Sequence, residues 1–389
     1  MRESTRDLLT QLIAFDTTSR HSNLALIDFV RDYLAGFGVD SLLVHDETGE
    51  KANLYATIGP RNKPGIMLSG HTDVVPVDGQ DWSSDPFCLE ERDKRLYARG
   101  SADMKGFLAC VLEAVPALAA SDLHTPVHLA FSYDEEIGCI GVRRLIDVLS
   151  TQPVVPAMAI IGEPTSMGVV IGHKGKRAYQ VEVNGLNAHS AYTTEGVNAV
   201  IYAARLIEHL HQVQQSLIDS GCRDDDYRVP YTTLHVGTIA GGTAANIVPE
   251  HCRFDMEIRH LPDENPDDIM AGIQAFATRE LLHEMRRVTP EANITFREKT
   301  RYPGLFTPPD ADVVNFVKGL LGADTTDKVS FGTEGGLFSQ QLQIPAVVCG
   351  PGSILQAHKA DEYVAIDQLT RCERMLDKLR VSLGGSDPV

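Results

Sequence analysis

The feature that most limits how this chain can fold is a repeated pattern of short apolar runs that stop at a histidine or at acidic side chains. Such runs end at His71, at Asp134-Glu135-Glu136 and at Glu163. Apolar runs bounded by glycine and polar turns are typical of buried parallel strands. Because open α/β sheets keep their ligand sites beyond the carboxyl ends of such strands, the pattern predicts a cluster of polar side chains at one sheet edge.

Each of these residues, taken alone, also has an ordinary structural explanation. The chain has 14 histidines, and most histidines are surface residues or hydrogen-bonded core residues, so His71 is weak evidence by itself. Asp103, in the glycine-bounded turn 100–106 before a helical stretch, also fits an N-cap. The acids at 134–136 are harder to explain, because adjacent carboxylates at a buried strand end repel one another unless a cation or a proton holds them.

The periodicity of the rest of the chain predicts two domains. Apolar residues at helical spacing in 26–37 and 107–119 alternate with strand-like runs, which indicates an α/β fold with a mixed, mostly parallel sheet flanked by helices. From residue 174 the strands alternate apolar and polar residues, and the order of elements is the split βαβ pattern. We therefore expect a ferredoxin-like α+β domain at 174–300, inserted between 1–173 and 301–389 of the first domain.

Composition and charge exclude several classes of function. With 35 Lys and Arg against 53 Asp and Glu, the formal net charge is -18, which argues against nucleic acid and anionic membranes as partners. The seven cysteines are scattered singly, so a reducing compartment is expected rather than a disulfide framework. The charged start of the chain does not resemble a signal peptide, and no run reaches the roughly 20 apolar residues of a membrane span. A cytoplasmic protein is expected.

Five residues form a set of ligands suited to metal ions: His71, Asp103, Glu136, Glu163 and His358. Two imidazoles and three carboxylates suit zinc, and a bridging carboxylate allows two ions about 3.5 Å apart. The sequence thus predicts a dinuclear site. Cobalt and manganese accept the same ligands, so the metal present depends on availability as well as on the donors.

Two further residues fit supporting roles beside these ligands. Asp73, two residues after His71, is placed to accept a hydrogen bond from the ring nitrogen that does not face a metal. Glu135, next to Glu136, is placed to act as general base toward a metal-bound water. A site that only bound metal would need neither residue.

These motifs, in this order and spacing, resemble the dinuclear zinc aminoacylase/carboxypeptidase (M20-type) family of metallohydrolases. The matching segments are His71-Thr72-Asp73, Ala102-Asp103-Met104-Lys105-Gly106, Asp134-Glu135-Glu136, Gly162-Glu163-Pro164-Thr165 and Ala357-His358. The resemblance implies a zinc-peptidase-like catalytic domain interrupted by a lid or dimerisation domain. It also implies that Asp103, followed by a cis peptide, bridges two zinc ions, one held by His71 and Glu163 and the other by Glu136 and His358.

The resemblance further implies a mechanism and an N-acyl amino acid as the small-molecule substrate. A metal-bound water loses its proton to Glu135 and attacks the acyl carbonyl, and Glu135 passes the proton to the departing amine. His189, which the family contributes from the other subunit of a homodimer, contacts the oxyanion, with an ordinary turn histidine as the alternative. Asn246 and Arg259 match positions that hold the substrate's α-carboxylate, and the alternative for Arg259 is a surface salt bridge.

Glu334 and Gly352 complete the predicted substrate contacts. Glu334 is expected to face the side-chain amine of an ornithine-like substrate, although Gly335-Gly336 follows it where family members usually carry alanine.

Three functions remain open. The first is deacetylation of N2-acetyl-L-ornithine, which the run 350–358 favours. The second is a sister activity, such as desuccinylation of a diaminopimelate precursor or dipeptide hydrolysis. The third is a metal-binding module without catalysis, which is disfavoured because Asp73 and Glu135 are both present.

Overall fold

The computed structural model describes residues 1–384, and the chain divides into two compact units. Unit 1 consists of Met1–Gly172, Leu305–Lys328 and Thr333–Val389, of which residues 385–389 lie outside the described part. Unit 2 consists of His173–Gly304 and Val329–Gly332. The stretch expected as an inserted domain falls within unit 2. Val329–Gly332 also belongs to unit 2, although the predicted boundaries placed this segment in the first domain.

The described residues fold into strands and helices that alternate along much of the chain. The strands are β1 (Ser41–His45), β2 (Ala52–Ile58), β3 (Ile66–His71), β4 (Glu90–Arg92), β5 (Arg95–Tyr97), β6 (Val127–Ser132), β7 (Met158–Pro164), β8 (Val170–His173), β9 (Gly175–Asn184), β10 (Ala188–His189), β11 (Thr233–Gly241), β12 (Ile247–Val248), β13 (His251–His260), β14 (Asn293–Tyr302), β15 (Leu305–Phe306), β16 (Asp327–Val329), β17 (Ala346–Gly350) and β18 (Tyr363–Ala365). The helices are α1 (Glu3–Ile13), α2 (Leu24–Ala35), α3 (Lys105–Ala120), α4 (Val142–Ser150), α5 (Ala199–Ser220), α6 (Pro266–Phe276), α7 (His283–Met285), α8 (Asp312–Leu321), α9 (Gly335–Leu342) and α10 (Ile366–Ser382), with a 3-10 turn at Ser190–Glu195 and a π-helical stretch at Ala277–Leu282. Within residues 1–384, none of the helices has the length and apolar character to cross a membrane.

A nine-stranded sheet organises unit 1. Its order is β1-β2-β6-β3-β7-β17-β8-β15, and β16 pairs with β8. Strands β6, β3, β7 and β17 pair with one another in parallel, whereas β1 with β2 and β2 with β6 pair in antiparallel fashion. The parallel strands are the apolar runs seen in the sequence, and every residue of β3, β6 and β17 is buried. The predicted mixed, mostly parallel sheet with flanking helices is confirmed.

Gly162 lets helix α3 lie close against the end of β7. A Cβ atom at this position would lie only 2.1 Å from the ring of Phe107, a distance that close packing does not permit. Phe107 lies in the first turn of α3, and Asp103 lies two residues before that helix begins. The absence of a side chain at Gly162 therefore allows the turn carrying Asp103 to approach the strand end carrying Glu163.

Unit 2 is built on a four-stranded antiparallel sheet of order β11-β13-β9-β14. Along the chain its elements follow the predicted order β9, α5, β11, β13, α6, β14. The first and third of these strands lie at the centre of the sheet, which is the ferredoxin-like arrangement. Val181, Phe254 and Ile258 of the sheet form a buried core with Leu206 of α5 and Ile273 of α6. A short ribbon, β10 paired with β12, is added to this framework.

We expect His128 to make unit 1 less stable in acid. Its imidazole is buried on β6, where the Nδ1 atom lies 2.9 Å from the hydroxyl of Tyr55 and 3.0 Å from that of Thr57. Burial lowers the pKa of this imidazole to about 4. Because the pKa of an unfolded histidine is about 6.5, the unfolded chain takes up the proton first, so stability falls as the pH drops below about 6.5 and this loss levels off near pH 4.

Denaturant unfolding of the wild type and of His128→Gln at pH 7 and pH 5 measures this contribution. The free energy of unfolding lost between the two pH values should be smaller in the variant by about 2 kcal/mol. His45→Gln, which replaces an exposed histidine of β1, is the matched control and should lose as much as the wild type. An equal loss in all three proteins would contradict the prediction.

Candidate active site

Three neighbouring strands bring predicted ligands to one edge of the unit 1 sheet. His71 is the last residue of β3, Glu163 lies near the end of β7, and Glu136 lies in the loop after β6. Because β3 lies between β6 and β7 and is parallel to both, the carboxyl ends of the three strands lie side by side. The sheet topology therefore accounts for the clustering that the apolar runs predicted.

Asp103 lies between two histidines. Its Oδ1 atom is 3.0 Å from Nε2 of His71, and its Oδ2 atom is 3.2 Å from Nε2 of His358. The carboxylate is buried, and the Asp103–Met104 peptide is cis, as predicted. Each oxygen of this carboxylate thus faces a different imidazole, which is the arrangement that a bridging ligand requires.

Each of the two glutamates in the predicted ligand set lies beside a different histidine. Glu163 Oε1 is 3.6 Å from Nε2 of His71, and Glu136 Oε2 is 3.1 Å from Nε2 of His358. His358 follows β17 with a left-handed backbone, φ 63°, and its side chain is 49% exposed. The two pairs lie on either side of Asp103, and they correspond to the two ligand sets that the family resemblance implies.

The electrostatics of this cluster favour bound cations. Burial, and then the charge of Asp103, raise the pKa of Glu136 to about 7 and raise that of Glu163 well above its ordinary value. Hydrogen bonds to Asp103 and Glu136 raise the pKa of His358 to about 10. Buried carboxylates that lie together are costly unless positive charge lies beside them, so the raised pKa values of Glu136 and Glu163 indicate a place suited to cations.

The donor atoms of this cluster suit divalent cations. Among the described residues, the Oε1 atom of Glu136 is a buried oxygen without a hydrogen-bond partner. An unsatisfied buried carboxylate oxygen is costly unless a cation satisfies it. Donor atoms within 4.8 Å of one another form the groups His71, Glu135, Glu163 and His71, Asp103, Glu136 in the described part of the chain. A set of imidazole and carboxylate donors of this kind is the chemistry that zinc accepts.

The structure places both the main-chain oxygen and the carboxylate of Asp73 near the ring of His71. The His71 Nδ1 atom lies 2.9 Å from the main-chain oxygen of Asp73 and 3.6 Å from its carboxylate, so the carbonyl oxygen is the closer partner that orients the ring. The carboxylate also accepts hydrogen bonds from the main-chain N–H groups of Glu135 (3.1 Å) and Glu136 (3.3 Å) and from the hydroxyl of Ser19 (2.7 Å). Asp73 thus holds the loop that carries the predicted base and one predicted ligand.

Glu135, the predicted general base, lies beside two of the predicted ligands. Its carboxylate belongs to the same group of close donor atoms as His71 and Glu163. The buried thiol of Cys139 donates to its Oε1 atom at 3.3 Å, and burial raises the pKa of Glu135 to about 8. A carboxylate with a raised pKa is a stronger base than an exposed glutamate.

Glu334, a predicted substrate contact, is buried beside the strands that carry the predicted centre. Its carboxylate is 1% exposed and accepts hydrogen bonds from Ser132, and from Ser69 at 3.3 Å, at the ends of β6 and β3. Burial raises its pKa to about 7. The side chain therefore links β6 and β3, and its contact with a substrate amine stays a prediction. Gly352 lies in the turn after β17 with φ 86°, and its carbonyl oxygen accepts the N–H of Ser166 at 2.6 Å.

The other predicted substrate contacts belong to unit 2. His189 and Asn246 line one cavity of about 860 Å³, beside the β10–β12 ribbon, and the main-chain N–H of Ser190 donates to the carbonyl oxygen of Asn246 at 3.0 Å. Arg259, on β13, is not among the residues that line this cavity. Its guanidinium donates to Glu257 at 3.1 Å and to the hydroxyl of Tyr302 at 3.0 Å. The structure thus brings His189 and Asn246 together and gives Arg259 partners of its own.

Sequence reasoning missed Glu362. This carboxylate is fully buried and accepts hydrogen bonds from the main chain at Asp103, beside the predicted bridging ligand. A signal was present, because Glu362 follows His358 closely in His358-Lys359-Ala360-Asp361-Glu362. Acidic residues in a polar loop are common, however, and only the folded chain shows which of them turns inward.

Comparison with known proteins identifies the family. The model of the peptidase family M20/M25/M40 matches residues 67–380. An acetylornithine deacetylase from Myxococcus xanthus is 37% identical to this chain over 95% of each protein. The chain belongs to the M20/M25/M40 family. A second acetylornithine deacetylase, from Photorhabdus laumondii, is 33% identical over 96% of this chain and 95% of the relative.

Solved structures of M20 proteins share the fold. An M20 metallo-carboxypeptidase, Sso-CP2 from Sulfolobus solfataricus, superimposes with a TM-score of 0.77 at 19% identity, covering 98% of this chain and 99% of that chain. The YXEP protein of Bacillus subtilis, described as a dinuclear metal binding peptidase of the M20 family, gives a TM-score of 0.69 at 14% identity, covering 98% of this chain and 97% of that chain. Both similarities establish the fold alone.

Membership of the M20 family confirms two predictions made from the sequence. The resemblance to dinuclear metallohydrolases is confirmed, and so is the expectation of a metal-binding enzyme that hydrolyses amide bonds. The third open function, a metal-binding module without catalysis, receives no support from these relatives.

Proposed function

We propose that the chain hydrolyses N2-acetyl-L-ornithine to L-ornithine and acetate, a step of arginine biosynthesis. The two acetylornithine deacetylases that match nearly the whole chain support this substrate. The observation that carries the proposal is the position of Asp103 between the His71–Glu163 and His358–Glu136 pairs, with Glu135 close beside His71. These are the ligands and the base that metal-assisted amide hydrolysis requires.

The proposed metal centre consists of the five predicted ligands: His71, Asp103, Glu136, Glu163 and His358. We propose zinc as the metal, with cobalt as an alternative. Two such ions supply positive charge that polarises the amide carbonyl and lowers the pKa of a nearby water.

Proton transfer in this proposal depends on Glu135. Its carboxylate removes a proton from the attacking water as the water oxygen bonds to the acetyl carbon. The same group then delivers this proton to the ornithine nitrogen as the C–N bond breaks, so that acetate and the free amine are released. Asp73 keeps Glu135 in place, because its carboxylate accepts the main-chain N–H of Glu135 at 3.1 Å.

The remaining contacts in this proposal come from residues of unit 2 and from the turn at Gly352 in unit 1. Asn246 and Arg259 bind the α-carboxylate, the turn at Gly352 contacts the substrate, and His189 of the partner subunit of a homodimer contacts the oxyanion. The basis for these four roles is the match to family positions. We place the enzyme in the cytoplasm, where the seven cysteines, all of them free thiols, remain reduced.

The proposed function is tested by release of free amine from a panel of substrates. The panel contains N2-acetyl-L-ornithine, N-acetyl-L-methionine, N-succinyl-diaminopimelate and a dipeptide, each with zinc-loaded and chelator-stripped enzyme. We expect acetylornithine to be preferred, the activity to vanish on stripping, and zinc to restore it. If another substrate is turned over faster, that compound becomes the proposed substrate and the proposed mechanism is unchanged. If the enzyme binds two ions but releases no amine from any of the four substrates, the proposal is overturned.

We expect Arg259→Ala to raise the KM for N2-acetyl-L-ornithine by roughly 10- to 100-fold with a smaller change in kcat, because a charge-assisted pair with the α-carboxylate is lost. Steady-state kinetics measure both constants. For the α-amide of the substrate, which lacks the carboxylate charge, the KM of the variant should be close to that of the wild type. Arg297→Ala, which removes an exposed arginine from β14 of the same unit, is the matched control. An unchanged KM would assign Arg259 to its contacts with Glu257 and Tyr302 instead.

A further inference from the structure

Arg99 and Glu362 form an ion pair that is shielded from solvent. The Nη1 atom of Arg99 lies 2.7 Å from Oε2 of Glu362, and the two side chains are 1% and 0% exposed. Removing both charges from water is costly, and replacing such a pair by apolar residues is often neutral or stabilising. Fold stability alone is therefore a poor explanation for the pair, and its other contacts indicate what it does.

On one side, the pair holds the main chain at the predicted bridging ligand. The Oε1 atom of Glu362 accepts the N–H of Ala102 at 2.9 Å and the N–H of Asp103 at 3.0 Å. One oxygen that accepts two consecutive N–H groups fixes the orientation of the peptide leading into Asp103. The direction of the Asp103 carboxylate, and hence its distances to the two histidines, depends on this peptide.

On the other side, the pair reaches the main chain of His358. The Nη2 atom of Arg99 donates to Oε1 of Gln80 at 2.6 Å, and Nε2 of Gln80 donates to the carbonyl oxygen of His358 at 3.3 Å. The ring of Trp82 lies 5.1 Å from the guanidinium carbon of Arg99, and its indole N–H donates to the same Gln80 oxygen at 3.1 Å. The network thus joins two loops that are far apart in the sequence and that each carry one predicted ligand.

We propose that the Arg99–Glu362 pair is a positioning device that sets the spacing between Asp103 and His358, and so controls the affinity for the ion on the Glu136 side of the centre. This inference rests on the proposed metal centre. His71 and Glu163 are carried by β3 and β7 of the sheet, so the ion on their side depends less on the network. Loss of the pair therefore affects the two ions unequally.

The first test follows the main chain in metal-free protein. In Glu362→Ala, amide hydrogen exchange in a peptide covering Ala102 and Asp103 should accelerate, because both N–H groups lose their acceptor. Glu362→Gln retains a carbonyl oxygen for the two N–H groups but loses the charge that pairs with Arg99, so its exchange should lie between those of Glu362→Ala and the wild type. If amide exchange is unchanged in both variants, Glu362 does not fix the main chain at Ala102 and Asp103, and the inference is overturned.

The second test is calorimetric titration of the same proteins with zinc. Glu136→Gln and Glu163→Gln, which remove one ligand from each side, assign the two binding steps in the wild type. In Glu362→Ala, the affinity of the Glu136-side step should fall by roughly 10- to 100-fold and that of the other step much less. Glu362→Gln should show a smaller loss of zinc affinity at the same step. Because it is the more conservative change, it also provides a result if Glu362→Ala does not fold.

Glu373→Gln is the matched control for both tests. Glu373 is also buried, and its carboxylate accepts the main-chain N–H of Arg2 at 2.8 Å and the hydroxyl of Thr5 at 2.6 Å, in contacts with helix α1 and the residue before it. This variant should lose stability without a change in either zinc affinity. Equal losses at both zinc steps in the Glu362 variants, or no loss at either, would overturn the inference. A wild type that binds fewer than two ions would overturn the proposed centre itself.

Discussion

Replacing Glu135 by glutamine should lower kcat by roughly 10²- to 10⁴-fold while both metal ions remain bound. Glutamine has nearly the same shape but cannot accept the proton of the attacking water. The carboxylate belongs to the donor group formed with His71 and Glu163, yet the family resemblance assigns it no metal. Steady-state kinetics, together with metal analysis of the same preparation, separate loss of the base from loss of the centre.

The neighbouring variant Glu136→Gln provides the contrast. Glu136 Oε2 lies 3.1 Å from Nε2 of His358, so its loss should reduce metal content and activity together. Adjacent residues of one loop are thus expected to give opposite results in metal analysis. Substantial hydrolysis by Glu135→Gln with two ions bound would remove Glu135 as the base, and loss of an ion in that variant would make it a ligand.

Replacing Asp103 by alanine should have the largest effect on the metal centre. This carboxylate faces His71 with one oxygen and His358 with the other, so its loss removes the negative charge between two positive ions. Zinc affinity should fall by more than the roughly 10- to 100-fold that the loss of a residue supporting a ligand costs. We expect at most one zinc per chain after dialysis and no measurable turnover.

Asp40→Ala is a suitable control for this variant. Asp40 is exposed and pairs with Arg61 on the surface, so its removal should change neither metal content nor kcat. Full retention of two zinc ions by Asp103→Ala would contradict a bridging role, and the ions would then have to be held by the histidines and glutamates alone.

Most of the fold could be predicted because its signals are local. The apolar runs became the buried strands β3, β6 and β7, and the helical face at 107–119 became α3, Lys105–Ala120. The three-stranded sheet of β18, β5 and β4 was not predicted. Each of its strands is only three residues long, too short for a periodic pattern to emerge, and β18 pairs with β5 across a long stretch of sequence.

The candidate site divides in the same way. Residue types at strand ends were sufficient to predict that His71, Glu136 and Glu163 come together, because topology places those ends side by side. The partners of Asp73 could not be predicted. The distances from Nδ1 of His71 to the carbonyl oxygen and to the carboxylate of Asp73, 2.9 Å and 3.6 Å, differ by less than 1 Å, and residue types do not determine so small a difference. Glu362 was missed for a related reason. Its importance lies in main-chain contacts with Asp103, which no pattern of residue types records.

The position of unit 2 within the chain has a consequence for how the protein is made. Strands β7 and β17 are neighbours in the large sheet, yet the whole of unit 2 lies between them in the sequence. On the ribosome, β7 emerges long before β17, and its free edge exposes unpaired main-chain groups for that whole interval. Unit 2 is almost continuous in sequence and can fold during this time, whereas the large sheet waits for residues 346–350. Translation that stalls between residues 305 and 345 therefore leaves an aggregation-prone nascent chain.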